Sequence, residues 1–365
     1  MEPRRPCVSG PGRSGGSPRP SPSTASATPR ASGPDARGAT AATSPSGWRL
    51  LPSPGLASCM LPCHPGREGD LMVRFGICLP HYGKAMEPAG MKLFAEEAES
   101  LGFDSIWVTD HVIVPRERNM LYKERMLDPL STLTYLAAVT SRMRIGTSVI
   151  VLPYRHPAFV AKAVATADLL SGGRVIFGAG VGALEGEFHA LGANFAERGA
   201  VADEYLRAVR ALWTDPDADF KGKYATVQGM RFSPLPAQTP HPPVWIGGST
   251  KRAGRRAVEL GDGWHATNVT PEQFSDIAAH MRHLSTMRGR ATPPMLSVRM
   301  PVYFDREPEP GRMAWWGDDA AVAGQALPFI ERGAEHLVFG FPDVSFDDAM
   351  SQLRRLADRV CSRLR

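Results

Sequence analysis

From residue 73 to its end, the chain alternates between short apolar runs and longer segments whose apolar residues recur every three or four positions. Short β-branched runs are typical of buried parallel strands, whereas the longer spacing is typical of helices that bury one face. The predicted strands are residues 73–79, 105–108, 144–150, 175–179, 244–247, 263–266, 295–304 and 337–339. The predicted helices are residues 86–101, 131–141, 157–170, 198–213, 251–260, 271–288, 319–332 and 346–364.

Strands that alternate with helices in this way predict an α/β fold. Eight strands, each followed by a helix, are the repeat of a (β/α)₈ TIM barrel, and residues 72–365 are long enough to form one. The alternative is an open, doubly wound sheet, but eight regular units exceed the usual number for that fold. Residues 214–243 are rich in Gly and Pro and form an insertion between units four and five, with a hairpin expected near residues 224–232.

Residues 1–71 have a different composition, dominated by Pro, Gly, Ser, Ala and Arg. Such a segment buries too little apolar surface to fold, so we interpret it as disordered or as foreign to the natural protein. Met72 directly precedes the first predicted strand, and we hypothesise that it is the true initiator. The pair Arg4-Arg5 and the run that ends at Cys59 resemble export signals, but neither is accompanied by an uninterrupted apolar stretch.

Charge and cysteine content then exclude several classes of function. The net charge of +5 belongs mostly to the first 71 residues, which hold eight Arg and four acidic residues. The remainder is nearly neutral and has no basic stripe, so a nucleic-acid partner is not expected. Only Cys78 and Cys361 lie in the folded part, a pattern that predicts neither disulfides nor a metal site and suits the cytoplasm. No apolar run is long enough to predict a membrane span.

The pair Asp110-His111 ends the second predicted strand, at the barrel edge where catalytic residues collect. An imidazole titrates near neutral pH, so His111 could exchange a proton with a reacting atom. The alternative is a helix-capping aspartate beside a packed histidine.

Two glycine-rich segments also fall at predicted strand ends. Residues 178–183 (Gly-Ala-Gly-Val-Gly-Ala) match a dinucleotide fingerprint only formally, because that motif belongs after a first strand. Their glycines either let the backbone approach a planar ligand or simply permit a tight turn. Residues 247–250 (Gly-Gly-Ser-Thr) open a helix and could bind an anion, helped by the basic residues Lys251, Arg252, Arg255 and Arg256. The alternative there is an ordinary N-cap with a solvated basic face.

Other candidate residues in predicted carboxyl-edge loops are His156, Glu185, Glu187, His189 and His265. Their spacing does not resemble a metal site. Residues 72–365 contain neither a nucleophile elbow nor a phosphate-binding P-loop.

Taken together, these segments resemble the bacterial luciferase-like monooxygenase superfamily, and most closely its branch that uses the deazaflavin coenzyme F420. The segments that carry the resemblance are Asp110-His111 and residues 146–150, 155–157, 169–174, 178–188, 247–248 and 261–264. The resemblance covers Met72 to the C-terminus and implies a (β/α)₈ barrel with an insertion. It also implies a homodimer.

The resemblance further implies roles for particular residues. His111 would be the proton donor at the reactive face of the ring, and Asp110 a cofactor contact. A non-proline cis peptide at Ser148-Val149 would form a bulge that backs the ring. Further cofactor contacts would come from Val181, Gly182, Gly247, Gly248, Ser249 and Thr250, the last four near a phosphate.

One departure from the family bears on the reaction. Sugar-phosphate dehydrogenases of the F420 branch have a glutamate where this chain has Ala183, and a tryptophan near the position of Pro115. The resemblance therefore implies an oxidoreductase that moves hydride between F420 and a small organic substrate other than glucose 6-phosphate. The alternatives are an FMN-dependent two-component monooxygenase on the same barrel and a cofactor-binding carrier without catalysis.

Overall fold

A computed structural model of the chain describes residues 73–116 and 125–365. The strands are β1 (Arg74–Cys78), β2 (Ser105–Val108), β3 (Arg144–Thr147), β4 (Ile150–Val151), β5 (Val175–Gly180), β6 (Phe220–Lys221), β7 (Thr226–Val227), β8 (Val244–Gly247), β9 (Gly263–Thr267), β10 (Met295–Phe304), β11 (Trp315–Gly317) and β12 (His336–Gly340). The helices are α1 (Gly90–Ser100), α2 (Pro129–Val139), α3 (Pro157–Ser171), α4 (Glu185–Ala190), α5 (Arg198–Thr214), α6 (Lys251–Leu260), α7 (Pro271–Met287), α8 (Asp319–Glu331) and α9 (Phe346–Arg355), which continues through Leu356–Cys361 into α10 (Ser362–Leu364).

Eight parallel strands close into a barrel, so the predicted TIM-barrel fold is confirmed. Their order around the barrel is β1, β2, β3, β5, β8, β9, β10 and β12. Pairing of β9 with β10 and of β12 with β1 leaves the barrel without an open edge. In this order β2 lies across the barrel from β9, and β3 lies across from β10. The carboxyl ends of all eight strands form one rim, which we call the mouth.

Side chains alternate between the two faces of each barrel strand. On β10, the apolar Leu296, Val298 and Met300 join the main core between barrel and helices. The intervening Ser297 and Arg299 belong to the other face of the strand, which lines the barrel interior. This alternation lets the interior carry polar groups without weakening the apolar layer outside it.

The insertion between α5 and β8 is present, but its hairpin differs from the expected one. The antiparallel pair β6–β7 covers residues 220–227 rather than 224–232, because only these short segments exchange backbone hydrogen bonds. The third predicted strand is also interrupted, at Ser148 and Val149, into β3 and β4. Our interpretation of residues 1–71 falls outside the described residues. Within the described ranges, no helix is long and apolar enough to cross a membrane.

Candidate active site

The predicted site residues come together on one half of the mouth. Asp110 and His111 follow β2, Ser148 and Val149 follow β3, Val181 and Gly182 follow β5, and residues 247–250 end β8. Because β2, β3, β5 and β8 are consecutive neighbours in the barrel, these segments form a continuous arc. Their positions at predicted strand ends implied this grouping, and the fold places them at one edge of the barrel.

The segment Ser148-Val149 is a bulge between β3 and β4, and its peptide bond is cis, as the family resemblance implied. The backbone N–H of Ser148 donates to the carbonyl of Val108 at 2.6 Å. A Cβ atom at Gly247 would lie 2.8 Å from Cγ1 of Val149, and one at Gly180 would also collide with that side chain. The bulge therefore needs glycine at these two strand ends, because no other residue leaves Val149 enough room.

His111 is held by a glutamate from the loop after β5. Its Nδ1 donates to Oε2 of Glu187 at 2.9 Å, and the hydroxyl of Tyr154 donates to the same oxygen at 3.0 Å. The other carboxylate oxygen accepts from the backbone N–H of Val112 at 2.6 Å. The side chain of Glu187 has no exposed surface, whereas that of His111 is 18% exposed. The imidazole is thus oriented from inside the protein and can still be reached from the mouth.

Glu187 is ionised despite its burial. Burial by itself would raise its pKa, but the hydrogen bonds from His111, Val112 and Tyr154 outweigh that effect, and the pKa lies below its ordinary value. The same burial, together with the charge of Glu187, raises the pKa of Tyr154, whose hydroxyl therefore stays protonated. A fixed negative charge beside His111 can hold the tautomer that carries its proton on Nδ1.

Asp110 is buried and forms a salt bridge with Arg155. Its two oxygens accept from Arg155 at 2.6 and 2.8 Å, and one of them also accepts from the N–H of Val151 at 2.9 Å. This bidentate pair ties the end of β2 to the segment that follows the bulge. The part of Asp110 as a cofactor contact stays a prediction.

Val181 and Gly182 begin the loop that delivers Glu187 to the site. Gly182 has a φ of 77°, in the left-handed region that favours glycine. A Cβ atom there would also lie 2.7 Å from both Phe188 and Val151. The turn at Gly182 therefore has both a conformational and a steric reason to be glycine, and helix α4 begins three residues later.

The segment of residues 247–250 begins helix α6. Oγ1 of Thr250 accepts from the N–H of Ala253 at 3.3 Å, as an N-cap does, and Ser249 and Thr250 are exposed. The basic side chains that follow add less free charge than the sequence suggested. Salt bridges join Lys251 to Asp276, Arg255 to Glu259 and Arg256 to Asp203. Arg252 is the exposed cation of this group without an ion pair among the described residues.

His265 lies inside strand β9, as the predicted strand 263–266 implies, and not in a mouth loop, where it was named as a candidate. It is fully enclosed in the barrel interior, because Trp264 and Ala266 on either side take the apolar outer face. Of the other histidines noted in the sequence, His156 caps α3 and His189 lies exposed on α4. Among the described residues, no cluster of His, Cys, Asp and Glu could hold a metal ion.

Glu187 and Tyr154 are not among the predicted site residues. Glu187 is a carboxylate in a predicted mouth loop, one of two that could replace the family glutamate missing at Ala183. Nothing in the sequence pairs it with a histidine 76 positions earlier. The available signal was its place seven residues after Gly180, the glycine that ends strand β5, in a short polar segment. Tyr154 gave no signal beyond its position just after the third strand.

A cavity of about 460 Å³ opens beyond the ends of β9 and β10. It is lined by Asn268 and by residues 309–313, among which Arg312 donates to the hydroxyl of Tyr303 at 2.7 Å. Since β9 lies across the barrel from β2, this cavity is on the opposite side of the mouth from His111.

Comparison with known proteins identifies the family. The sequence model of the luciferase-like monooxygenases matches residues 72–336. The chain belongs to the luciferase-like monooxygenase family. A protein of Mycobacterium tuberculosis described as uncharacterized is 32% identical over 305 residues, covering 79% of this chain and 99% of the relative. An F420-dependent glucose-6-phosphate dehydrogenase of Amycolatopsis mediterranei is 34% identical, but over 50% of this chain and 54% of the dehydrogenase.

Several solved structures share the barrel at low sequence identity. An F420-dependent secondary alcohol dehydrogenase, solved with an F420-acetone adduct, has a TM-score of 0.68 and 18% identity over 80% of this chain and 99% of its own. Proteins of this fold include F420- and FMN-binding oxidoreductases, so the fold alone does not select the cofactor. The chain is therefore an oxidoreductase of the luciferase-like type, with F420 and FMN as the two cofactors to be separated.

Proposed function

We propose that this protein is an F420-dependent oxidoreductase that exchanges a hydride between the deazaflavin ring, bound at the barrel mouth, and a small organic substrate. The observation that carries the proposal is the placement of His111, held by buried Glu187, beside the glycine-flanked bulge at Val149. The partial similarity to F420-dependent dehydrogenases supports F420 over FMN.

The mouth residues suit a flat ring. Val149, Gly247 and Gly248 are each only partly covered by the protein, so their exposed surface can be buried by a ligand. The strand ends around Val149 carry glycines, which leave room for the Val149 side chain to meet the ligand there. When bound, the deazaflavin supplies the two-electron hydride chemistry, while the protein orients the reactants and excludes water.

His111 has the task of moving the accompanying proton. A hydride carries two electrons and one proton, so making or breaking an O–H bond on the substrate requires a second proton. Nδ1 of His111 donates to Glu187, and we therefore assign the exchanged proton to Nε2. Glu187 and Tyr154 fix the orientation of the ring while this proton moves.

The cavity across the mouth from His111 is our candidate for the substrate's outer part. Asn268, Glu309 and Arg312 offer polar contacts, and Met313 an apolar one. The substrate itself, the homodimer and a cytoplasmic location stay predictions.

Equilibrium titration tests the cofactor assignment. The purified full chain is titrated separately with F420 and with FMN, and the fluorescence of each cofactor reports binding. We expect F420 to bind at least about tenfold more tightly, a difference of ~1.4 kcal/mol. Tighter binding of FMN would overturn the proposal in favour of the monooxygenase, and binding of neither would reject both.

Turnover separates an enzyme from a carrier. Reduced and oxidised F420 are each incubated with panels of ketones, enones, aldehydes and alcohols, and the deazaflavin absorbance is followed. We expect turnover in at least one panel, and its loss in His111→Ala with F420 affinity kept. Tight F420 binding without turnover in any panel would support the carrier.

A further inference from the structure

We propose that His265, buried in the barrel interior, is a positioning residue that holds Ser148 and thereby fixes Val149 where the cofactor ring binds. The proposal rests on the proposed function, because Val149 matters only if a ring docks against it. No part of the family resemblance assigned His265 to the site.

The ring of His265 is fixed on both edges and on one face. Its Nε2 is 2.8 Å from Oγ of Ser148, and its Nδ1 is 3.0 Å from Oγ of Ser297. It also stacks on Trp107, with centroids 4.9 Å apart and planes 12° from parallel. A side chain held at three points has little freedom, so it can transmit a fixed position to the serine it binds.

Ser148 in turn is held through all of its polar atoms. Its N–H donates to Val108, its hydroxyl bonds to His265, and its carbonyl accepts from Nη1 of Arg299 at 3.3 Å. These contacts come from β2, β9 and β10, on different sides of the barrel. Since Val149 is the next residue, the orientation of Ser148 sets how Val149 stands against Gly180 and Gly247.

The surroundings of His265 suit a fixed neutral ring rather than a proton donor. Burial lowers its pKa well below the ordinary value, and the nearby charge of Arg299 and the neighbouring His336 act in the same direction. In a neutral imidazole one nitrogen donates and the other accepts, and the two serine hydroxyls can satisfy either tautomer. His265 is therefore suited to hold Ser148, whereas His111 at the mouth is suited to exchange a proton.

A second histidine–serine pair in the same barrel gives a matched control. Nε2 of His336 is 2.8 Å from Oγ of Ser105, and the His336 ring stands edge-on to the same Trp107. Both histidines are 2% exposed. The pair lies at the amino-terminal ends of β12 and β2, away from the mouth. Losing this bond should cost similar stability but leave the bulge in place.

The test uses amide side chains that imitate one ring nitrogen each. In His265→Asn the side-chain amide lies near the former position of Nδ1, so the hydrogen bond to Ser148 is lost. In His265→Gln the amide reaches the former position of Nε2, so that hydrogen bond is kept. His336→Asn is the control that loses Ser105. Three readouts are compared: hydrogen exchange of the 148–151 backbone in the cofactor-free protein, the dissociation constant for F420 or FMN, and the thermal midpoint.

We expect His265→Asn to speed exchange at residues 148–151 and to weaken cofactor binding by about tenfold, or ~1.4 kcal/mol. His265→Gln should keep both the exchange rate and the cofactor affinity close to those of the wild type. His336→Asn should lower the thermal midpoint and leave cofactor binding nearly unchanged. Unchanged exchange in His265→Asn, or equal loss of binding in both Asn variants, would overturn the proposal. If the wild type binds neither cofactor, the proposed function fails, and the exchange data still decide whether His265 holds the bulge.

Discussion

The mouth and the barrel interior use the same residue type in opposite ways. At the mouth, His111 is 18% exposed and bonds to a buried carboxylate. In the interior, His265 is 2% exposed and bonds to two serine hydroxyls. The first ring has solvent access and a charged partner, and the second has neither. Burial and the charge of the partner, rather than the presence of a histidine, therefore separate a group that can exchange protons from one that holds structure.

Replacing His111 at the mouth should have the largest effect of the substitutions that test this difference between the two histidines. We expect His111→Ala to lower turnover by about 10²- to 10⁴-fold, the range for loss of a general acid or base. Cofactor affinity should change little, because the bulge and the glycine segments remain. Steady-state kinetics with the F420 substrate found by screening, combined with the fluorescence titration, measure both. Near-normal turnover in this variant would remove His111 from the chemistry.

Replacing Glu187, which bonds to His111, tests whether the charged partner matters. We expect Glu187→Gln to lower turnover by roughly 10- to 100-fold, as loss of an orienting partner does. It should also cost about 1–3 kcal/mol of stability, because a buried carboxylate with several donors is replaced. Kinetics and urea unfolding measure the two effects.

The matched control for this variant is Glu185→Gln on the same helix. Glu185 is 62% exposed, and its one ion pair among the described residues is with His189 at 3.8 Å, so neither turnover nor stability should change. Equal losses in the two variants would show that helix α4, and not the charge at Glu187, is what the site needs.

A larger side chain next to the bulge tests whether the cofactor binds against Val149, and it leaves both histidines unchanged. We expect Gly247→Ala to weaken F420 binding by about tenfold, since its Cβ would lie 2.8 Å from Val149. The control is Gly324→Ala in helix α8, where a Cβ meets nothing within 4 Å and should stabilise the helix slightly. Unchanged affinity in Gly247→Ala would place the ligand away from Val149.

The buried histidines of the barrel interior should make the stability of the protein depend on pH. Burial lowers the pKa of His336 to about 3, and the charges of Arg74 and Arg144 act in the same direction. This histidine therefore binds a proton near pH 6.5 in the unfolded chain but stays neutral in the folded chain. The free energy of unfolding falls as the pH drops below that value. Each such histidine should cost about 1 kcal/mol between pH 7 and 5.5. Urea unfolding at both pH values should show a smaller loss for His336→Asn than for the wild type.

The sequence predicted the barrel well because its strands and helices differ in period, and strand order then located Asp110, Ser148 and Gly247 at one edge. It could not pair His111 with Glu187, because that contact depends on the turn at Gly182 and on the short helix that follows. It also gave the side chain of His265 no partner, although the predicted strand 263–266 contains it.

Inside the barrel, that side chain finds Ser148 from β3 and Ser297 from β10. The pattern along β9 alone does not contain those partners. Contacts between distant strands are thus what the periodicity of a single segment leaves open.

A crystal structure of the protein with bound F420 tests the central claim most directly. We expect the deazaflavin ring in contact with Val149 and Gly247 at the mouth, with its reactive face toward His111. A ring bound elsewhere on the protein, or one at the mouth with His111 turned away from it, would contradict the account.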